Sequence, residues 1–327
     1  MSARTLRRFL PGRLSARQRA HRLAVLTLLF ALLTACSRPA GDPEEMPAGA
    51  GTAVSATDDA GRTVQLARPA TRVVSLLPAA TETLLAMGAG DRLVGRTDYD
   101  TDPAVTHLPS VGGGLTPSLE LLAALQPDLV VAWEEAGTPR VRPRLEELGI
   151  PVFAVATRDT AAIFRNIRNL GRLLGHDAAA DSLVRHLHAE LEAVRASVAP
   201  GERPSVLYVI SIDPPIIAGT DNFIAELIGV AGGEPVQISG AQPGLSPQVS
   251  LEELVRQQPD IVVLPVGEDA SASVERLRTE PGWRSLRAVQ EGRVALVPAE
   301  LMHRPGPRIG LAARAMHDAL QAHREAR

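Results

Sequence analysis

A segment of this chain occurs twice. Ser118-Leu119-Glu120 leads through Gln126-Pro127-Asp128 to Val131, and Ser250-Leu251-Glu252 leads through Gln258-Pro259-Asp260 to Val263, with every matched residue displaced by 132 positions. Two copies of one local unit at that distance call for two related lobes. In each copy the serine suits a helix N-cap, and the glutamate falls in the first turn, where the helix dipole favours negative charge. Pro-Asp then stops the helix. The apolar runs that follow, 129–133 and 261–265, are rich in β-branched residues. Such runs suit strands covered on both faces, as in a parallel sheet flanked by helices. A second parallel links Thr81-Glu82 through Gly88 and Gly90 with Asp221-Asn222 through Gly229 and Gly233, both read as helices closed by glycine.

Around the repeats, strand and helix patterns alternate. The first lobe, 57–157, reads as a hairpin at Asp59-Ala60-Gly61, strand 72–76, a helix, strand 93–95, helix 118–125, strand 129–133, helix 139–148 and strand 152–156. The second, 201–327, reads as strand 205–210, helix 221–229, the repeated helix and strand, strand 294–297 and a closing helix 308–323. This is an α/β chain: two related lobes with mostly parallel central sheets. The connector, 158–200, has helical spacing with a break at Gly175-His176. Its second helix would be about 33 Å long at about 1.5 Å per residue. A single stiff helix between lobes opposes wide hinge opening.

The amino-terminal segment has a different character. Seven arginines and no acid precede position 23, and the apolar run 23–33 is too short to cross a bilayer as a helix. It ends in Leu33-Thr34-Ala35-Cys36, which looks like a bacterial lipobox. We expect residues 1–35 to be a signal peptide, Cys36 to carry lipid, and 36–56, rich in Pro, Gly, Ala and Asp, to be a flexible tether. The protein would then be lipid-anchored in the periplasm or cell envelope.

Without that segment 27 arginines face 37 acids, a formal charge of −10, and clustered positive charge for a nucleic-acid partner is missing. Lysine is absent, which excludes Schiff-base chemistry and a P-loop lysine. One cysteine excludes an intrachain disulfide and any cysteine-rich metal site. The usual hydrolase, zincin and dinucleotide signatures are missing too, so we expect no catalytic residue, no cofactor and no resident metal. The eight histidines are scattered, and His186 and His188, two apart on a helix, point apart and should face solvent.

Taken in order, Arg72-Val-Val-Ser75-Leu-Leu-Pro78-Ala-Ala-Thr81-Glu82, Val94-Gly95 with Asp98-Tyr99, Val111-Gly112-Gly113, both Ser-Leu-Glu repeats and Arg304-Pro305-Gly306-Pro307-Arg308 resemble one family across about residues 57–325. It is the helical-backbone (class III) periplasmic solute-binding proteins of ABC importers, which receive cobalamin, haem and ferric siderophores, and the cobalamin-binding lipoproteins look most similar. The resemblance implies a monomeric, non-enzymatic receptor whose partners are a corrinoid or ferric chelate and an ABC permease dimer. It implies that Glu120 and Glu252, one per lobe, dock onto permease arginines.

The ligand cleft is expected between the lobes, at loops after the carboxyl ends of the strands, with Pro78, Tyr99, Gly113, Gly114, Trp133, Glu134, Asp213, Pro214, Ser246, Met302, His303 and Arg304 as its lining. Gly114 and Ser246 stand where a cobalamin-binding member carries tryptophan, and Ile210 where it carries phenylalanine, so stacking surface is reduced. Cobalamin or another corrinoid is the first expectation. Haem, with Tyr99 or His303 on the iron, or an anionic siderophore, with Arg304 and Arg308, is the alternative. A metal-ion receptor and a non-catalytic envelope lipoprotein are more distant alternatives.

Overall fold

The computed structural model describes residues 52–134, 138–238, 246–267 and 270–324. The expected signal segment 1–35, the expected lipidation site Cys36 and tether residues 37–51 lie outside the described residues. Along the chain, β1 (Val54–Thr57) and β2 (Thr63–Leu66) form a hairpin, followed by β3 (Val73–Ser75), helix α1 (Pro78–Ala86) and β4 (Leu93–Gly95). A short ribbon of β5 (Gly112–Gly113) and β6 (Thr116–Pro117) precedes α2 (Leu119–Ala124), β7 (Leu129–Trp133), α3 (Thr138–Glu147) and β8 (Val152–Val155). Helices α4 (Thr160–Leu174) and α5 (Asp177–Ser197) lead to β9 (Ser205–Ser211), β10 (Ile216–Ile217), α6 (Phe223–Val230) and β11 (Glu234–Pro235). Then come α7 (Leu251–Gln257), β12 (Ile261–Val266), α8 (Ala270–Thr279), α9 (Arg287–Gln290), β13 (Val294–Pro298), α10 (Ala299–Met302) and α11 (Ile309–Arg324).

The two sheets repeat one plan. The first runs β4-β3-β7-β8, all parallel; in the second β9, β12 and β13 follow in the same parallel order, with β11 parallel to the start of β9 and β10 antiparallel to its end. Each lobe therefore has a topological switch point beside its first strand, between β3 and β7 and between β9 and β12, where open α/β sheets leave a crevice. The duplication holds at atomic detail. Ser118 and Ser250 both cap their helices, accepting from Leu121 N and Glu253 N. Gln126 and Gln258, again 132 apart, both adopt left-handed backbone, at φ 46° and 45°. Asp128 accepts from the backbone of Thr71 and Arg72, and Asp260 from that of Ser205, so each carboxylate anchors the start of the first strand of its lobe.

Strand alternation builds three apolar layers. In β7, Leu129 and Val131 join one cluster while Val130 and Ala132 join another; β12 and β9 divide in the same way. The inner faces of both sheets enter the same cluster as α4, α5 and α11, so one core passes from lobe to lobe. Gly175, at φ 72°, ends α4, and His176 N bonds back to Gly171 O. Helix α5, about 32 Å long at about 1.5 Å per residue, packs on α4, α6 and α11. The connecting helix is therefore embedded in the shared core rather than standing alone between the lobes. The two-residue strands β5, β6, β10 and β11 were not foreseen, since a period of two cannot show in two residues.

Candidate functional site

A cavity of about 320 Å³ opens where β3 and β7 end, at the first lobe's switch point. Leu76, Leu77, Pro78 and Ala79, which carry β3 into α1, form its floor with Trp133 from the end of β7. Thr157, just beyond β8, completes that side, and His303, Arg304 and Pro305 from the turn after α10 form the opposing wall. Tyr99 joins the lining while its side chain stays largely exposed.

The Tyr99 loop is held rigidly. Asp100, buried, accepts from Thr97 N and Thr97 Oγ1, both at 2.7 Å, and Ser110 Oγ donates to Asp98 Oδ1 at 2.6 Å. The loop turns Asp100 inward and leaves Tyr99 64% exposed. An aromatic side chain presented this way beside an apolar floor is preorganised to cover a ligand. At Gly114 a Cβ would stand 2.1 Å from Leu76 O, so the first-lobe aromatic expected of a corrinoid pocket is missing for a backbone reason.

Behind the cavity the lobes are clasped. Arg308 Nε donates to Glu82 Oε2 and Arg308 Nη2 to Glu82 Oε1, each at 2.9 Å, a two-pronged ion pair. Arg304 adds a longer contact to Glu82 Oε1, 3.3 Å, and donates to Tyr99 O at 3.4 Å. Arg308, weighed above as an anion-binding residue, is thus committed to Glu82, while Arg304 both lines the cavity and joins the clasp. His303 lies against Tyr208, whose hydroxyl is 3.3 Å from His303 Nε2. Burial lowers the His303 imidazole pKa from the usual histidine value and raises that of the Tyr208 phenol.

Of the residues expected in the cleft, the cavity brings together Pro78, Tyr99, Gly114, Trp133, His303 and Arg304. Gly113 stands just behind, where a Cβ would come 4.0 Å from the Tyr99 ring. Glu134 is turned to Arg158 at 3.2 Å. Asp213, exposed, lies 3.7 Å from Arg276, because the β9–β10 turn carries it and Pro214 outward. Ser246 is exposed and off the cavity wall. Met302 is fully buried in the shared core: it is the last residue of α10, one position before the side chain that faces the cleft. Leu76, Leu77, Ala79, Leu115, Thr157 and Pro305 were missed. The signal for most of them was the switch-point rule, since Leu76 and Leu77 directly follow the first strand of their lobe.

Among the described residues the cavity's polar groups are Tyr99, Thr157, His303, Arg304 and the Trp133 indole, and no carboxylate lines it. The arrangement can stack on a flat apolar surface and donate hydrogen bonds at its edge. Among the described residues no group of three His, Cys, Asp or Glu side chains is placed to hold a metal ion, and no helix is long and apolar enough to cross a membrane. His186 and His188 are exposed, the first 3.6 Å from Glu190 and the second against the Phe164 ring. Glu120 and Glu252 are exposed in the first turns of α2 and α7, and neither has an ion-pair partner among the described residues.

A match to the family described as periplasmic binding protein spans residues 73–301, which includes both sheets and the cavity floor. The chain belongs to that family. It is 29% identical over 303 residues to the uncharacterized ABC transporter substrate-binding lipoprotein YvrC of Bacillus subtilis, covering 90% of this chain and 94% of the relative. The crystal structure of the periplasmic vitamin B12 binding protein BtuF of Vibrio cholerae is similar with a TM-score of 0.66 at 27% identity, covering 79% of this chain and 99% of that one. The periplasmic heme-binding protein BhuT, in complex with two hemes, is similar with a TM-score of 0.67 at 27% identity, covering 77% and 98%. Membership and the lipoprotein relative indicate a periplasmic or cell-envelope location.

Proposed function

We propose that this periplasmic binding protein is the substrate-binding lipoprotein of an ABC importer, and that it captures a metal chelate, cobalamin or another corrinoid, in the cleft and delivers it to a membrane permease. The observation that carries the reading is the cavity: a mostly apolar lining in which the Trp133 and Tyr99 rings stand beside a few donors, Thr157, His303 and Arg304. A broad, partly apolar ring with polar substituents at its rim suits those walls. The likeness to a vitamin B12 binding protein supports a corrinoid. A haem or ferric siderophore is the second reading; Arg304 on the wall, suited to an anionic chelate, and the likeness to a heme-binding protein favour it.

In this scheme residues 1–35 are removed, Cys36 carries the lipid, 36–56 tether the receptor, and a 158–200 connector joins lobes 57–157 and 201–327. Glu120 and Glu252, on equivalent helices of the two lobes, would grip arginines of a two-fold permease dimer through charge-assisted hydrogen bonds. The protein acts as a monomer and performs no chemistry on its cargo.

Equilibrium dialysis of the full chain in mild detergent against cyanocobalamin, then against haemin, tests the ligand. Equimolar retention of cyanocobalamin, weakened by Trp133→Ala and Tyr99→Ala, is the expected result. Retention of haemin alone transfers the reading to the second ligand class, and retention of neither overturns both.

A further inference from the structure

Tyr208 lies on the inner face of β9, 2% exposed, in the core that both lobes share. Its hydroxyl has one hydrogen-bond partner among the described residues, His303 Nε2 at 3.3 Å, and the two rings meet edge to face with centroids 6.4 Å apart. His303 is the cap residue directly after α10, and it stands in the cavity wall. A buried hydroxyl either donates its proton or bears the desolvation cost of an unmade donor. The acceptor within reach is Nε2, so Nε2 must keep its lone pair, and the proton of the neutral ring then sits on Nδ1. Burial keeps the phenol protonated and the imidazole neutral at neutral pH, so the pair meets as a phenol and a neutral ring. Nδ1 makes no hydrogen bond to any described residue.

We infer that Tyr208 is a positioning residue that fixes His303 as a hydrogen-bond donor in the cavity wall, aimed at a carbonyl, carboxylate or phosphate oxygen on the rim of the ligand and withheld from metal coordination. The inference rests on the ligand-binding reading of this cleft. It narrows that reading: the cargo offers oxygen acceptors to the second lobe, and its metal is not held by His303. The neighbouring Arg304 strengthens the same preference, since a guanidinium also seeks oxygen acceptors and repels a bare cation.

The test has two parts. The full chain in mild detergent, carrying ¹⁵N-labelled histidine, is studied by long-range ¹H–¹⁵N correlation at pH 7.5, with His303 assigned by its loss in His303→Gln. The wild type should show one neutral tautomer protonated at Nδ1, and Tyr208→Phe, its fold checked by circular dichroism, should populate both tautomers. Protonation at Nε2 in the wild type, or an unmoved tautomer in Tyr208→Phe, overturns the inference. In the second part cyanocobalamin and haemin serve as probes. For whichever is retained, His303→Leu should weaken binding by about 5- to 10-fold, and His303→Gln, which keeps a donor, should recover most of that loss. Equal losses in the two variants, or a haemin absorbance change that reports loss of a histidine ligand in His303→Leu, overturn it. If neither probe is retained, the chelate reading fails while the tautomer measurement still decides the role of Tyr208.

Discussion

Removal of Glu82 should reveal how much of the protein's stability depends on the clasp between its lobes. The carboxylate is 16% exposed and receives both prongs of Arg308, itself 28% exposed, at 2.9 Å. Exposed pairs contribute about 0–1 kcal/mol, and breaking a buried pair costs about 3–5 kcal/mol because one charge is left dry and unpartnered. A mostly buried, two-pronged pair falls between, so Glu82→Ala should cost about 2–3 kcal/mol, including repulsion between the two arginines left facing each other. Arg304 reaches Glu82 at 3.3 Å with one nitrogen, a weaker geometry. Double-mutant cycles by urea denaturation should give a Glu82–Arg308 coupling of about 2 kcal/mol and a Glu82–Arg304 coupling below about 1 kcal/mol. Salt should change the first little, since the pair is largely out of solvent reach. A Glu82–Arg308 coupling under about 0.5 kcal/mol, or a larger one for Arg304, would refute the assignment of the clasp to the Arg308 fork.

Gly114→Ala should destabilise the fold by about 2 kcal/mol or more, because its Cβ would overlap Leu76 O at 2.1 Å; a melting temperature within a degree of wild type would contradict the close approach. Glu120→Ala combined with Glu252→Ala should abolish ligand-stimulated ATP hydrolysis by the permease in proteoliposomes while dialysis shows the same ligand affinity, and unchanged stimulation would remove the docking role. Stability should carry an acid limb from His303. Its folded pKa is lowered by burial, so between that value and about 6.5 the unfolded chain binds a proton that the folded chain does not. That contribution is complete above about pH 6.5 and is lost as pH falls below it. Urea midpoints at pH 7.5 and 5.5 should therefore differ less in His303→Gln than in the wild type, and equal differences would assign the acid limb elsewhere.

Much of the cleft's position was legible in the chain because strand–helix alternation and the 132-residue repeat fix where each first strand ends. Pro78 and Trp133 were found at such ends, and Tyr99 and Gly114 came from the resemblance. The second lobe was read less well. Of the residues expected there, Asp213 after β9 turns outward to Arg276, while His303 and Arg304, from the turn after α10, stand in the cavity wall. The sequence pattern at 302–304 shows three consecutive residues without telling which faces the core. Helix α10 is only four residues long and ends there, so its phase could not be read from periodicity, and Met302 rather than His303 turned inward.

The chain by itself determined the duplication, the parallel sheets and the caps of the repeated helices, because these depend on residues within a few positions of one another. Helix capping, strand alternation and left-handed turns at Gln126 and Gln258 are local matters of backbone and side-chain reach. Only the tertiary structure decided what crosses between lobes: the shared apolar core, the Arg308 fork on Glu82 and the Tyr208–His303 pair, whose partners are 226 and 95 residues apart. No local pattern encodes such contacts, since they exist only once two separately folded surfaces are brought to a few ångströms of each other.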